Sequence, residues 1–317
     1  MTSTVRLGTW PTPLEPAPRL AERIGLLSGD LWLKRDDLTS LGGGGNKVRK
    51  LEHTAGAAVA DGADLLVTTG AAQSNHARAT AAAASRLGLA CLLVLAGERP
   101  ATSSGNLSLD HLLGADVHWA GDVDDVALEA LAAELAAQRR AAGARPYVVP
   151  FGGSGPIGAR GYVDCARELE QQAPYAKHVV VAVGSGGTMA GLVAGLGADR
   201  VLGVPTGAVA DPEQRIRGML AAFGAPNDGL RLRNDQVGAG YGVLTDAART
   251  ALTDVARTEG VVLDPVYTAK AFAGLHAAVR DGEIRKGDRT VFVHTGGLPG
   301  LFGHTYATEV AQPKESR

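Results

Sequence analysis

Three short apolar runs lack the polar alternation of a half-exposed strand: Leu-Leu-Val-Thr-Thr at 65–69, Cys-Leu-Leu-Val-Leu-Ala at 91–96 and Val-Val-Val-Ala-Val at 179–183. Runs of that length and β-branched content read as strands buried on both faces. Ala-rich stretches with helical patterning lie between them. The spacing predicts strands at Leu31–Lys34, Asp64–Thr68, Ala90–Leu95, Asp116–Trp119, Tyr147–Pro150, His178–Val183, Val201–Val204 and Val291–His294. It predicts helices at Lys47–Asp61, Ser74–Leu87, Val123–Ala141, Ile157–Gln172, Thr188–Leu196, Glu213–Phe223, Asp246–Glu259 and Thr268–Asp281. This alternation implies an α/β fold with parallel sheets covered by helices on both faces. The Pro-rich lead (Pro11, Pro13, Pro16, Pro18) reads as an extended surface arm, and the polar tail after Val310 as frayed.

The 317 residues are enough for about two domains. A net charge of -2 gives no whole-protein field for nucleic acid or an anionic membrane. The two cysteines, Cys91 and Cys165, rule out a disulfide scaffold and a Cys-rich metal site, so no metal is expected. Both lie in regular elements and read as inert. No signal peptide and no apolar run long enough to span a membrane is evident, so the expected setting is the cytoplasm.

With 43 glycines the chain is rich in loops where backbone can approach a ligand, and four clusters adjoin strand ends. In the first, Gly42–Gly45 lead through Asn46 to Lys47 at the start of a helix. A lysine there opposes the helix dipole, which makes sense if its amine is held neutral or used covalently. The Gly-Lys-Ser/Thr of a nucleotide-binding loop is absent, and an ordinary surface lysine is the other reading. In the second, Gln73-Ser74-Asn75-His76 opens a helix after a strand. Ser74 and Asn75 are either anion binders or plain caps, and His76 either moves a proton or simply packs. The third, Gly184-Ser185-Gly186-Gly187-Thr188, follows a buried strand and suits a phosphate, but it lacks the dinucleotide spacing. The fourth brings Thr295 before Gly296-Gly297, with Tyr267 and Thr268 opening a helix upstream and Tyr241 inside Gly238–Gly242. Each of these is a site residue or a local cap.

Together these segments resemble the fold-type II pyridoxal-phosphate enzymes, the tryptophan synthase β-like superfamily. Within it they are similar to the branch of 1-aminocyclopropane-1-carboxylate (ACC) deaminase and D-cysteine desulfhydrase. The resemblance runs from Pro11 to Gly303. It rests on Gly44-Gly45-Asn46-Lys47-Val48-Arg49-Lys50-Leu51-Glu52, on Gln73-Ser74-Asn75 and on the Gly184–Thr188 loop. It implies pyridoxal 5'-phosphate as cofactor and Lys47 as the Schiff-base lysine, with Lys50 pointing elsewhere on the helix. It places Ser74, Asn75 and His76 at the substrate, with Asn75 also at the cofactor, and Gly184, Ser185, Gly186, Gly187 and Thr188 on the phosphate. Tyr241 and Tyr267 would position substrate or assist the leaving group. ACC deaminases carry Glu where this chain has Thr268 and Leu where it has Thr295. The threonine pair looks like D-cysteine desulfhydrases, with one hydroxyl near the pyridine nitrogen. The implied activity is α,β-elimination on D-cysteine or a similar β-substituted D-amino acid, giving pyruvate, ammonia and sulfide. The alternatives are ACC deamination, L-cysteate sulfo-lysis, or a cofactor-binding protein without turnover. The resemblance also implies a smaller domain at 51–158, a larger one from 1–50 plus 159–317, and a homodimer.

Overall fold

The computed structural model describes residues 3–304, 306, 307 and 310. Its strands are β1 (Leu14–Pro16), β2 (Leu31–Arg35), β3 (Leu65–Ala71), β4 (Ala90–Ala96), β5 (Asp116–Trp119), β6 (Pro146–Val148), β7 (His178–Val183), β8 (Val201–Pro205), β9 (Arg231–Leu232) and β10 (Thr290–His294). Its helices are α1 (Pro18–Arg23), α2 (Lys47–Ala60), α3 (Asn75–Leu87), α4 (Gly105–Leu112), α5 (Asp125–Ala141), α6 (Pro156–Gln172), α7 (Gly187–Leu196), α8 (Pro212–Phe223), α9 (Asp246–Glu259), α10 (Thr268–Arg280) and α11 (Leu298–Leu301). None of them is long and apolar enough to cross a membrane.

The strands form two sheets. One has the order β1-β2-β10-β7-β8-β9 and is parallel except where β1 pairs antiparallel with β2. The other, β5-β4-β3-β6, is wholly parallel. Parallel pairing needs crossover connections, and the helices they supply cover both faces. The uninterrupted apolar run of β7 follows from this. Val179, Val181 and Val183 pack with Tyr162, Leu192 and Val293, while Val180 and Ala182 pack with Leu202, Phe272 and Phe292 on the opposite face. β3 divides in the same way, Leu66 packing with Leu51 and Ala77, and Leu65 and Val67 with Leu128 and Ala132.

Differences from the sequence reading concentrate in short elements. The expected surface arm ends in β1, which pairs with β2. β3 runs past Thr68 to Ala71, and β9, α1, α4 and α11 were not anticipated. The expected fraying after Val310 lies outside the described residues.

Two features of the fold place the site. β10 lies between β2 and β7, so the carboxyl ends of these parallel strands share one edge, where open α/β sheets bind ligands. Helix α6 packs closely on α2, because a Cβ at Gly161 would run into the backbone carbonyl of Arg49.

Candidate active site

A cleft of about 1010 Å³, counting its open mouth, lies between the two sheets. The six-stranded sheet and its helices contribute Ser185, Tyr267 and Thr295, while Asn46, Lys47 and Lys50 come from the start of α2, whose Val48 and Leu51 pack into the core of the four-stranded sheet. The four-stranded side contributes Gly70, Ser74, Asn75, His76, Asp125 and Leu128.

Lys47 is the first residue of α2, after a left-handed glycine turn. That turn is held by backbone: Asn46 N donates to Thr295 O at 2.9 Å, and a Cβ on Gly296 would come within 2.7 Å of Gly45 Cα. The Lys47 amine donates to Gly152 O at 3.1 Å. Lys50 does not point away as the sequence reading had it. Its Nζ enters the same cavity, 3.3 Å from Gly152 O and 2.9 Å from Ser154 Oγ. Residues three apart share a helix face, which the sequence already contained. Two buried amines on one carbonyl cannot both hold their protons easily. Burial, with some repulsion from Arg78, brings Lys47 down to about 8. Burial and the Lys47 charge push Lys50 well below its ordinary value.

The start of α2 is anchored from behind. Arg49 forks onto buried Asp36 at 2.8 and 2.9 Å and also reaches Glu168. Tyr162 donates to Asp36 at 2.6 Å. The Arg49 charge holds Asp36 below the usual carboxylate range against its desolvation.

The Gly184–Thr188 loop joins β7 to α7. Gly186 has φ +90°, a left-handed conformation that suits glycine. A Cβ on Gly187 would sit 2.5 Å from Ser154 Oγ and 3.2 Å from Lys50 Nζ. Ser154 Oγ and Ser185 Oγ are 2.7 Å apart, and Thr188 Oγ1 accepts from Asn46 Nδ2 at 3.0 Å.

Ser74 caps α3, its Oγ accepting from Ala77 N at 3.1 Å. Among the described residues its hydrogen has no acceptor, so it can donate into the cavity. Asn75 Oδ1 accepts from Asn106 Nδ2 at 2.9 Å. Asn106, fully buried, also binds the Gln73 side chain and backbone and accepts from Arg78 Nε. Arg78 in turn donates to Gly42 O and Gly44 O in the loop before Lys47. Nothing in the sequence marked Asn106 or Ser154, since Asn106 reaches the site from the first turn of α4 and Ser154 from the loop before α6, both distant in sequence.

The His76 ring is pinned by β3. Thr68 Oγ1 gives its hydrogen to Val149 O at 2.9 Å and therefore accepts from His76 Nε2 at 2.9 Å. The ring hydrogen is thus on Nε2. Burial and the two lysine charges push its pKa well below 6.5, so the ring is neutral.

Tyr267 and Tyr241 bond hydroxyl to hydroxyl at 2.6 Å. Burial raises both phenols, Tyr267 well above 10, so both keep their protons. Thr295 lines the cavity, and among the described residues its hydroxyl has no partner. Thr268 is not brought into this group: fully buried, it gives its hydroxyl to Asp264 Oδ1 at 2.7 Å. Cys91 and Cys165 are buried free thiols; burial pushes Cys91 up to about 12 and Cys165 higher still, so neither is a nucleophile.

Comparison with known proteins adds a family. The model of the pyridoxal-phosphate dependent enzymes matches residues 5–296. A D-cysteine desulfhydrase of Salmonella schwarzengrund is 40% identical, over 93% of this chain and 94% of its own length. A provisionally named ACC deaminase of Pyrococcus horikoshii is 39% identical, over 94% of this chain and 93% of its own. A solved ACC deaminase homologue superposes with TM-score 0.87 at 37% identity, covering 97% of this chain and 95% of that one. The processed form of tomato (Solanum lycopersicum) threonine deaminase isoform 2 shares the fold, with TM-score 0.69 at 22% identity, covering 95% of this chain and 88% of that one.

Proposed function

This chain belongs to the pyridoxal-phosphate dependent enzymes, and from that premise we propose that it is a lyase eliminating the β-substituent of D-cysteine or a similar β-substituted D-amino acid. One observation carries the reading. A lysine amine brought down to about 8 and a pair of protonated tyrosine hydroxyls line one cavity, a base and an acid for the two ends of an elimination. The 40% identity to a D-cysteine desulfhydrase supports the choice of substrate, as does Thr295, a hydroxyl on the cavity wall where the ACC deaminase pattern has Leu.

The residues present fit the cofactor. The Gly187 position is a cradle that a Cβ would fill, and the Lys50 amine lies beside it. A phosphate there would meet the backbone of Gly184, Ser185, Gly186, Gly187 and Thr188 and restore a proton to Lys50. Lys47 would hold the cofactor covalently. When bound, pyridoxal phosphate supplies the sink for the charge that builds at the substrate's Cα.

The chain's own residues do the rest. Ser74 and Asn75 at the start of α3 take the substrate carboxylate, the Ser74 hydrogen being unspent and Asn75 being oriented by Asn106. The Lys47 amine removes the α-proton. As the C–S bond breaks, its electron pair goes to sulfur, and the Tyr241–Tyr267 pair supplies the proton. In sum, D-cysteine and water give pyruvate, ammonia and hydrogen sulfide. His76, neutral and fixed by Thr68, shapes the wall beside Lys50 and Gly153. We further propose that 51–158 closes as a unit on 1–50 plus 159–317, and that the enzyme is a cytoplasmic homodimer.

The test is product release by the loaded protein from D-cysteine, with L-cysteine and ACC run alongside. Sulfide and pyruvate from the D-isomer alone are expected. Ammonia and 2-oxobutyrate from ACC, without sulfide from cysteine, would overturn the assignment in favour of deamination.

A further inference from the structure

We propose that Asp125 selects the charge of the substrate's β-substituent, admitting neutral or cationic groups and rejecting anionic ones such as a carboxylate or sulfonate. The inference deepens the elimination reading and rests on it.

Among the described residues, the charged side chains that line the cavity are Lys47, Lys50 and Asp125; no arginine and no second acid joins them. The amines gather at Gly152 O, beside the phosphate cradle. Asp125 comes from the first turn of α5, a helix packed on the four-stranded sheet, with Leu128 one turn further on. Its negative charge is felt at Tyr241, whose phenol it helps to raise. A substrate whose carboxylate meets Ser74 and Asn75, and whose Cα faces Lys47, turns its β-substituent toward the tyrosine pair. Asp125 lines the same cavity as that pair.

The free N-terminus of a 17-residue helix attracts anions. Here that attraction is cancelled. Asp124 Oδ1 accepts from Ala127 N at 2.8 Å, and Asp125 adds a second carboxylate in the same turn. An anionic β-substituent would meet a carboxylate and no free cation, because both amines serve the cofactor. Asp125 is exposed, so its influence is screened by salt.

The experiment uses the holoenzyme and three amino acids of similar size: D-serine, D-aspartate and D-2,3-diaminopropionate, with neutral, anionic and cationic β-groups. Each is titrated against the visible band of the bound cofactor in the natural protein, Asp125→Asn and Asp125→Lys, at low and high salt. In the natural protein D-aspartate binds about tenfold or more weakly than D-serine at low salt. That gap narrows in Asp125→Asn, reverses in Asp125→Lys and shrinks with salt. An aspartate-to-serine ratio unchanged across the three proteins overturns the proposal, as does failure of D-serine to move the band. Because the readout is a ratio of binding constants, absence of sulfide from D-cysteine would defeat the elimination reading without altering this test.

Discussion

At the scale of the residue, the site depends on where protons sit. In the unfolded chain Lys47 titrates near 10.5, and in the folded apo-protein burial brings it to about 8. Between those values the unfolded state holds the extra proton, so this group's contribution to stability rises with pH across that window. The same shift governs reactivity: the rate at which apo-protein takes up pyridoxal phosphate should climb through about pH 8 and then level off, as followed by the visible band. The tyrosine pair gives a second prediction. If a phenol protonates departing sulfur, Tyr267→Phe should cut kcat on D-cysteine by about a hundredfold. It should cut kcat on β-chloro-D-alanine far less, because chloride leaves without a proton; equal losses on both substrates would remove the acid from the account. Some of this was legible in the sequence. Lys47, Ser74, Asn75 and Thr295 stand beside glycines at strand ends, and all line the cavity. Lys50 was misread although its spacing from Lys47 put it on the same helix face. The resemblance places Thr268 beside the cofactor as the residue standing where ACC deaminases have Glu, but its hydroxyl turns to Asp264 Oδ1 and away from the cavity.

At the scale of the element, helix contacts aim the side chains. Gly161 lets α6 lie against the first turns of α2, and a methyl group there collides with the Arg49 carbonyl. Gly161→Ala should therefore destabilise the protein by about 1–3 kcal/mol and lower kcat with little change in KM, measured by thermal unfolding and steady-state kinetics. Helix α4 carries a different tension. Asp110 is fully buried, and among the described residues neither of its carboxylate oxygens has a partner. Burial lifts it from 3.8 to about 7, only partly opposed by Arg78. Between about pH 4 and 7 the folded state keeps a proton the unfolded chain has lost, so stability falls as pH rises. Asp110→Asn should raise the melting temperature at pH 8 and change it little at pH 4. Long elements announced themselves in the sequence: β7 and α9 have the expected limits because continuous apolar runs and helical periodicity persist over many residues. The missed elements β1, β9, α1 and α11 are too short to show a period, and β1 and α1 lie in a proline-rich stretch that reads as extended.

At the scale of the whole molecule, two parallel sheets face a shared cavity, and each supplies half of the chemistry. The six-stranded side brings the phosphate cradle and the tyrosines, and α2, packed into the core of the four-stranded sheet, brings the amines. The four-stranded side brings Ser74, Asn75 and Asp125. Two sheets were legible as alternating strands and helices. Their strand order was not, because inserting β10 between β2 and β7 is a long-range pairing with no local signature. The central claim is that Lys47, and not its more deeply buried neighbour Lys50, bonds the cofactor at this junction. Borohydride reduction of the holoenzyme followed by peptide mapping tests it directly. The account predicts the reduced cofactor on Lys47, with Lys47→Ala losing both the label and the visible band. A label on Lys50 in the natural protein would contradict it.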